Sequence, residues 1–441
     1  MADTRKLEFL KTILPGRILA ESKREDEELV QVELTTPEHL DGFMSTIHRL
    51  VMVTRNKSSG EEKTSNLMVK VMKGDDSFRE SCLSPVQFRN EIFIYTKVVP
   101  CFTQLLESSR CSVKGDKWCP RVVFGVAGKV PEYSDCSETI LVMENIALEG
   151  FKAGPRNDLD EEHLVLMARN IAQFHACTYA MKITKDPRLE ELVKGIIPFD
   201  FVSDGNVLNS YALFFKMGLD RLFEYFDKNP KLLDSERFKN DLSTLRSRYG
   251  EAPIHLMQKL LHQDEFSVIL HGDYNRNNVL FKYENDKPVD IRMFDFQENR
   301  YGTPAIDLIF FMCMSMPTGL RERFWYPLLE QYHDSLMSTL QDILKCDAND
   351  PRLKPYSYDN FKKHLQHYGM YGGMIAVHFL PWMICPEEEC AQLAFHFAND
   401  MYSPEMKHWL NIAGGDAVDI RLTEVFRHLS VQGYLDIVHE D

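Results

Sequence analysis

Three oxygen-bearing side chains, Asp273, Asn278 and Asp295, stand at a spacing that suits phosphoryl transfer. The stretch His271-Gly272-Asp273-Tyr274-Asn275-Arg276-Asn277-Asn278 puts Asn278 five positions beyond Asp273 (278 − 273). Asp295-Phe296-Gln297 begins 22 positions beyond Asp273 (295 − 273). Moving a phosphoryl group asks for positioning and charge neutralisation more than for covalent chemistry. A carboxylate such as Asp273 can accept the proton of an attacking hydroxyl, which makes it the candidate catalytic base. Magnesium prefers hard oxygen ligands, and Asn278 and Asp295 offer an amide oxygen and a carboxylate. The amide can ligate without adding another negative charge beside the phosphates. The plain alternative is a polar loop joining two strands, and the fixed residue types at these intervals argue against it.

Such a site also needs a lysine on the phosphates and a carboxylate to aim it. Lys70 interrupts the apolar run Leu67-Met-Val-Lys70-Val-Met, and a buried lysine requires a partner. Ser84-Pro85-Val86-Gln87 reads as a helix start, with Ser84 as its cap. Phe88, Glu91, Ile92 and Tyr95 then share one face, on which Glu91 is the lone charge. Lys70 and Glu91 are therefore expected to pair; two unrelated exposed charges are the alternative. The phosphate cradle is less defined. There is no GxxxxGK[ST] loop and no GxGxxG. Gly42, in Asp41-Gly42-Phe43-Met44-Ser45-Thr46, fits a minimal phosphate-covering turn that would include Ser45, and fits a plain turn equally well.

These groups need two kinds of scaffold. Residues 40 to 145 alternate short β-type runs with one helix. Thr46–Thr54 and Leu67–Met72 flank a polar hairpin connection, and Thr139–Met143 is a buried-strand pattern. Leu164, Ala168, Ile171, Ala172 and His175 mark one helix face, and His175 there reads as a satisfied core histidine. Ser267–Leu270 reads as a strand feeding the Asp273 loop. A hairpin around Glu284-Asn-Asp-Lys287 follows, and residues 304 to 441 are helical in character. The expected architecture is α+β and bilobal, with a small β-rich N-terminal lobe and a large helical C-terminal lobe. Residues 1–35 are expected as an N-terminal extension or helix. Residues 36–146 form the ATP-binding lobe with a hinge strand at its end, and residues 147–441 form the helical lobe with catalytic loop, metal site and acceptor pocket.

Composition sets outer bounds. A chain of 441 residues exceeds the usual single-domain size. The net charge is 51 − 66 = −15, which disfavours nucleic acid and anionic membranes as partners. It also makes local positive charge necessary wherever a nucleotide binds. The first ten residues contain no apolar run of signal-peptide length, and Tyr368–Cys385 reads as a buried helix, so no membrane span and a cytoplasmic location are expected. The ten cysteines read as reduced structural thiols, because neither Cys111/Cys119 nor Cys385/Cys390 has zinc-site spacing.

In this set of motifs the chain resembles the ecdysteroid kinase-like (CHK kinase-like) family, within the wider group of choline kinases and aminoglycoside phosphotransferases. The resemblance rests on Leu67–Lys70, Phe88–Glu91, Leu141–Asn145, Phe174–Ala176, Leu270–Asn278, Asp295–Gln297 and Gly302–Leu308. It implies a protein-kinase-like fold that binds ATP and Mg2+. Asp273 would be the base, Asn278 and Asp295 metal ligands, and Lys70 with Glu91 the phosphate-holding pair. The Glu144 carbonyl and the Ile146 amide would meet adenine, with Met143 lining the back of its pocket. Asp307 would hold the catalytic-loop backbone, and His271 would help to orient that loop. Tyr274-Asn275 and Glu144-Asn145-Ile146 depart from the family's usual residues without removing a catalytic group.

The implied partner is a small-molecule hydroxyl acceptor. Aromatic residues of the C-terminal part, including Phe324, Trp325, Tyr326, Tyr368, Tyr371, Phe379 and Trp382, suit an apolar pocket for a steroid, an aromatic cage for a quaternary ammonium, or ordinary core. An ecdysteroid and a choline- or ethanolamine-type amino alcohol are both open as acceptors, and the sequence does not define an oligomeric state. Two further readings compete. Retention of Lys70, Glu91, Asp273, Asn278 and Asp295 argues against a non-catalytic pseudokinase. The absence of a DFG triplet and an Ala-Pro-Glu segment argues against a protein kinase.

Overall fold

A computed structural model describes residues 2–37, 44–198 and 210–440. Its first sheet has five strands: β1 (Glu27–Thr35), β2 (Ser45–Asn56), β3 (Glu62–Met72), β4 (Val122–Lys129) and β5 (Ser137–Glu144). They run in the order β1-β2-β3-β5-β4, with every neighbouring pair antiparallel. β3 is central, and Lys70 lies between Ile47 of β2 and Leu141 of β5.

Alternation along the strands divides the two faces of this sheet. Leu67, Val69 and Val71 look one way and join Leu50, Met52, Ile140 and Val142 in a separate apolar cluster. Phe9, Leu10, Leu14 and Ile18 complete that cluster, each no more than 2% exposed. Burying such side chains is worth about 1.5–3 kcal/mol apiece. Residues 2–21 thus form the cover of the sheet's outer face, and 27–35 form its edge strand. The charged residues interspersed among the apolar ones of this segment mask its role in the sequence. Lys6 pairs with the buried Glu138 at 2.8 Å and fastens the cover to β5.

The inner face carries Met68, Lys70 and Met72 and meets the helix Ser84–Phe93. Ser84 does not cap that helix. The cap position is Leu83, in the left-handed region at φ 55°, and the buried Ser84 hydroxyl has no partner among the described residues. The short helix Asp76–Ser81, capped by Asp75, runs into the next one through only Cys82 and Leu83, so Ser84 is already helical. The helical path then continues through Ile94–Val98 and Val99–Ser108.

After β5 the chain becomes mainly helical. The helix Glu161–Thr184 packs along Thr318–Leu344 and buries Leu164, Ala168, Ile171, Ala172 and His175. Between the helices lie the short strands β6 (Phe151–Lys152), β7 (Val268–Ile269), β8 (Val279–Glu284), β9 (Lys287–Met293) and β10 (Tyr301–Gly302). β8 and β9 form the expected hairpin, turning on Asn285 and Asp286 at φ 51° and 62°. β7 pairs with β10, which places the loop after β7 beside the segment after β9. The helix Tyr371–Ile384 lies against Ser210–Lys228, where a Cβ on Gly218 would overlap the Val377 carbonyl. No helix among the described residues is long and apolar enough to cross a membrane.

Candidate active site

Lys70 reaches the inner face of the sheet and finds two carboxylates. Its Nζ lies 2.8 Å from Glu91 Oε2 and 2.6 Å from Asp295 Oδ1, and it sits over the Phe88 ring at 5.1 Å from the centroid. Burial favours loss of the lysine proton, but the Asp295 and Glu91 charges outweigh it and hold the ammonium form. Burial pushes the Glu91 carboxyl up, with Lys70 acting against it. The expected Lys70–Glu91 pair is present, and Asp295 shares the same cation.

The loop after β7 is fixed by backbone bonds to a buried carboxylate. Asp307 accepts from the His271 and Gly272 amides at 2.8 and 2.7 Å, and from His175 Nε2 at 2.9 Å. His175 also meets the Tyr332 hydroxyl at 2.8 Å, so it is a satisfied core residue. Burial holds the His271 imidazole below its usual range, and its Nε2–H donates to the Phe294 carbonyl at 2.9 Å. The His271 ring packs on Phe296 at 4.5 Å, and Phe296 meets Tyr95 edge-on at 5.1 Å. The Asp295 amide donates to the Tyr95 hydroxyl at 3.2 Å. These contacts hold Asp295 at φ 64°, an uncommon backbone state for a non-glycine residue.

Asp273 projects from that loop, partly exposed. Asn275 Nδ2 donates to its Oδ1 and Asn278 Nδ2 to its Oδ2, both at 2.7 Å. Asn278 Nδ2 also bonds the Asp273 carbonyl at 2.9 Å, which turns its amide oxygen away from Asp273. Burial pushes the Asp273 carboxyl well up, Glu298 and Asp295 add to the rise, and the two asparagine amides oppose it. The Asn278 carbonyl accepts from the Phe294 amide at 2.9 Å, which joins the loop to the segment that carries Asp295.

The oxygens suit magnesium. Asn278 offers a free-standing amide oxygen and Asp295 a second carboxylate oxygen, both hard donors. No cluster of three or more His, Cys, Asp or Glu that could hold a metal occurs among the described residues, so the rest of an octahedral shell would come from phosphates and water.

Met143 and Glu144 end β5, with Met143 on the sheet face that carries Lys70 and Leu141. The Glu144 side chain pairs with Arg121, and Ile146 opens a short turn capped by Asn145. Ser45 is buried at the start of β2, opposite Met72 and two residue pairs from Lys70. Gly42 lies outside the described residues.

Beside Asp273 opens a cavity of about 670 Å³, counting its share of open solvent. Tyr211, Phe214, His378, Phe379, Trp382 and Phe397 line it, together with Met44, Cys82, Gln297, Glu298 and Asp273. Phe379 and Trp382 are among the aromatic residues singled out in the sequence. Tyr371 is core at 2% exposure, as is Trp325 at 1%, whose indole donates to the Tyr434 hydroxyl. Tyr211, Phe214, Glu298 and His378 carry no sequence signal of their own, because their relation to Asp273 arises only when distant helices are brought together. Glu298 accepts from Gln87 Nε2 at 3.1 Å, from the Tyr211 hydroxyl and from Arg300 at 3.2 Å. Burial pushes its carboxyl up.

Solved structures similar to the chain include a mutant aminoglycoside 2'-phosphotransferase-IIIa in its GDP complex, 14% identical, covering 93% of this chain and 96% of that one with a TM-score of 0.39. The GDP and kanamycin complex of APH(2")-IIIa is 12% identical over 92% and 97%, with a TM-score of 0.37. Aminoglycoside-3'-phosphotransferase of type VIII is 16% identical over 76% and 93%, with a TM-score of 0.30. No curated protein matched the chain. A model of the ecdysteroid kinase-like family matches residues 39–345, a span that contains Lys70, Glu91, Asp273, Asn278 and Asp295. The chain belongs to the ecdysteroid kinase-like family.

Proposed function

We propose that this protein transfers the terminal phosphoryl group of ATP, with magnesium, to a hydroxyl of a small and largely apolar acceptor, with ecdysteroids as the acceptor class. One observation carries the reading. Asp273, oriented by two asparagine amides, forms part of the wall of a cavity that is otherwise mostly aromatic and apolar. A hydroxyl held there would give its proton to Asp273 as its oxygen attacks phosphorus, and the leaving oxygen of the nucleotide would keep the electrons of the broken bond.

The remaining residues take roles by position. Lys70, aimed by Glu91, would neutralise phosphate charge. Asn278 and Asp295 would hold magnesium, which when bound screens the phosphate oxygens. Adenine would meet the Glu144 carbonyl and the Ile146 amide, with the Met143 side chain behind it. Ser45 and Gly42 would lie over the phosphates. In this scheme 36–146 acts as the nucleotide lobe and 147–441 as the acceptor lobe. A cytoplasmic location fits the same reading, since ATP and reduced thiols are both found there.

The test is an ADP-release screen over hydroxyl-bearing steroids, amino alcohols and sugars, with Asp273→Asn as the control. Turnover of steroids that the variant loses is the expected result. Phosphorylation of amino alcohols alone would sink the apolar-acceptor reading, and silence with every acceptor would sink the kinase reading.

A further inference from the structure

His378 is the cavity residue whose hydrogen bonding is incomplete. It lies on the helix Tyr371–Ile384 next to Phe379 and one turn before Trp382, and only 7% of it is exposed. Aromatic rings enclose it. Their centroids lie 5.6 Å away for Tyr211, 5.1 Å for Phe214, 5.5 Å for Phe215 and 4.2 Å for Phe379. Among the described residues its buried Nδ1 has no partner. A buried polar nitrogen left unbonded is costly, and buried polar groups are nearly always satisfied. Apolar packing would be better served by phenylalanine at this position. Nδ1 itself is closed to solvent, so the ring meets what enters the cavity through Nε2, which also has no partner among the described residues.

Its protonation state narrows the choice. Burial pushes the imidazole down to about 3, so it is neutral at ordinary pH. A neutral ring carries one donor and one acceptor nitrogen, which matches a hydroxyl or a carbonyl and gives no advantage to a carboxylate or an ammonium group. The nearby carboxylates are occupied elsewhere. Glu298 is bonded to Gln87, Tyr211 and Arg300, and Asp273 to its two asparagines.

We propose that His378 is a specificity residue of the acceptor cavity. It hydrogen-bonds a second oxygen function of the acceptor, so that the preferred substrates are rigid apolar alcohols with two separated oxygens, one at Asp273 and one at His378. The proposal rests on the reading of the cavity as an acceptor site. It adds a two-point requirement that discriminates among lipophilic alcohols, because a site built to bond an oxygen rejects the analogue that lacks it.

Equilibrium binding to the full chain without nucleotide tests this apart from catalysis. The probes are ecdysone, which carries several oxygens, and cholesterol, which carries one, both delivered in cyclodextrin. The wild type should prefer ecdysone. His378→Phe should weaken ecdysone binding by about tenfold, the worth of one net hydrogen bond, and leave cholesterol unchanged. His378→Gln, which keeps a donor and an acceptor, should retain part of the preference, and ATP affinity should hold in both variants. In turnover, His378→Phe should raise the ecdysone KM with kcat nearly constant. The proposal is overturned by wild-type ecdysone affinity in His378→Phe, by equal loss for both sterols, by a changed melting temperature with an unchanged affinity ratio, or by no ecdysone binding to the wild type. Selective, His378-dependent binding without ADP release would sink the kinase reading and leave this proposal standing. Ecdysone turnover indifferent to His378→Phe would do the reverse.

Discussion

Lys70 and Asp295 meet at 2.6 Å although 225 residues separate them in the chain. One belongs to the centre of the five-stranded sheet and the other to the segment after β9, so a single ammonium group ties that sheet to the segment that follows the β8–β9 hairpin. Glu91 completes the arrangement at 2.8 Å. Removing the lysine alone would leave buried carboxylates uncompensated. Lys70→Met should therefore cost about 3–5 kcal/mol of stability, and Lys70→Met with Glu91→Leu should recover part of it while remaining inactive. Thermal melts and a double-mutant cycle on the rate measure both effects, and strict additivity would mean that the pair does not act as a unit.

Asp273→Asn should lower turnover by at least about a hundredfold, the usual contribution of a positioned base. ATP affinity should survive, since Asp273 lines the cavity proposed for the acceptor. Nucleotide binding measured beside ADP release separates the two. Near-wild-type turnover with a confirmed acceptor would remove Asp273 from the mechanism.

Glu298 is the largest contributor of charge at Asp273, the proposed base. Its carboxylate helps to raise the Asp273 carboxyl, and Asp273 must be ionised to accept a proton. Activity should fall as pH drops through the raised value. Glu298→Gln removes a negative neighbour, so Asp273 should lose its proton more readily and the acid limb of the kcat/KM profile should move to lower pH. A limb that stays in place or moves upward would contradict this coupling.

Metal dependence should distinguish the two proposed ligands. Asp295→Ala removes a charged ligand and one partner of Lys70, whereas Asn278→Ala removes a neutral amide. Magnesium titrations should show the larger rise in requirement for Asp295→Ala. An unchanged requirement there would overturn its assignment.

The aromatic residues of the large lobe divide between cavity and core. Trp382→Ala should raise the acceptor KM and spare the ATP KM, because Trp382 lines the cavity. Tyr371→Ala should instead cost about 3–5 kcal/mol of stability, as expected for truncating a buried aromatic residue. Steady-state kinetics and thermal melts on both variants check the division.

The grouping of Asp273 with Asn278 was legible in the sequence because it is local. Asp273 and Asn278 lie on one short loop, and the Asp307 and His271 contacts follow from it. The Lys70–Glu91 pair was legible because each charge interrupts an apolar pattern, and a buried charge needs a partner. A helix start capped by Ser84 does not form because two helices meet across Cys82-Leu83, which leaves Ser84 inside the second. The outer cover formed by Phe9, Leu10, Leu14 and Ile18 was not legible, since an amphipathic stretch in a charge-rich segment points to no particular partner. The cavity was legible only as an excess of aromatic residues. Which of them face Asp273 depends on how Ser210–Lys228 and Tyr371–Ile384 cross, and that is set by close contacts such as Gly218 on Val377.

Gly272 stands at φ 87°, and a Cβ there would overlap the Glu298 carbonyl oxygen. The backbone beside the base and the backbone of the cavity's carboxylate wall are thus in direct contact, and neither can slide past the other. Asp273 and Glu298 behave as one machined part with a fixed gauge. On the proposed function, adaptation to another acceptor would fall to the other lining residues, among them Phe214, Phe379, Trp382 and Phe397. If the proposed function holds, one fixed centre would then serve different alcohols through replacement of the surrounding wall.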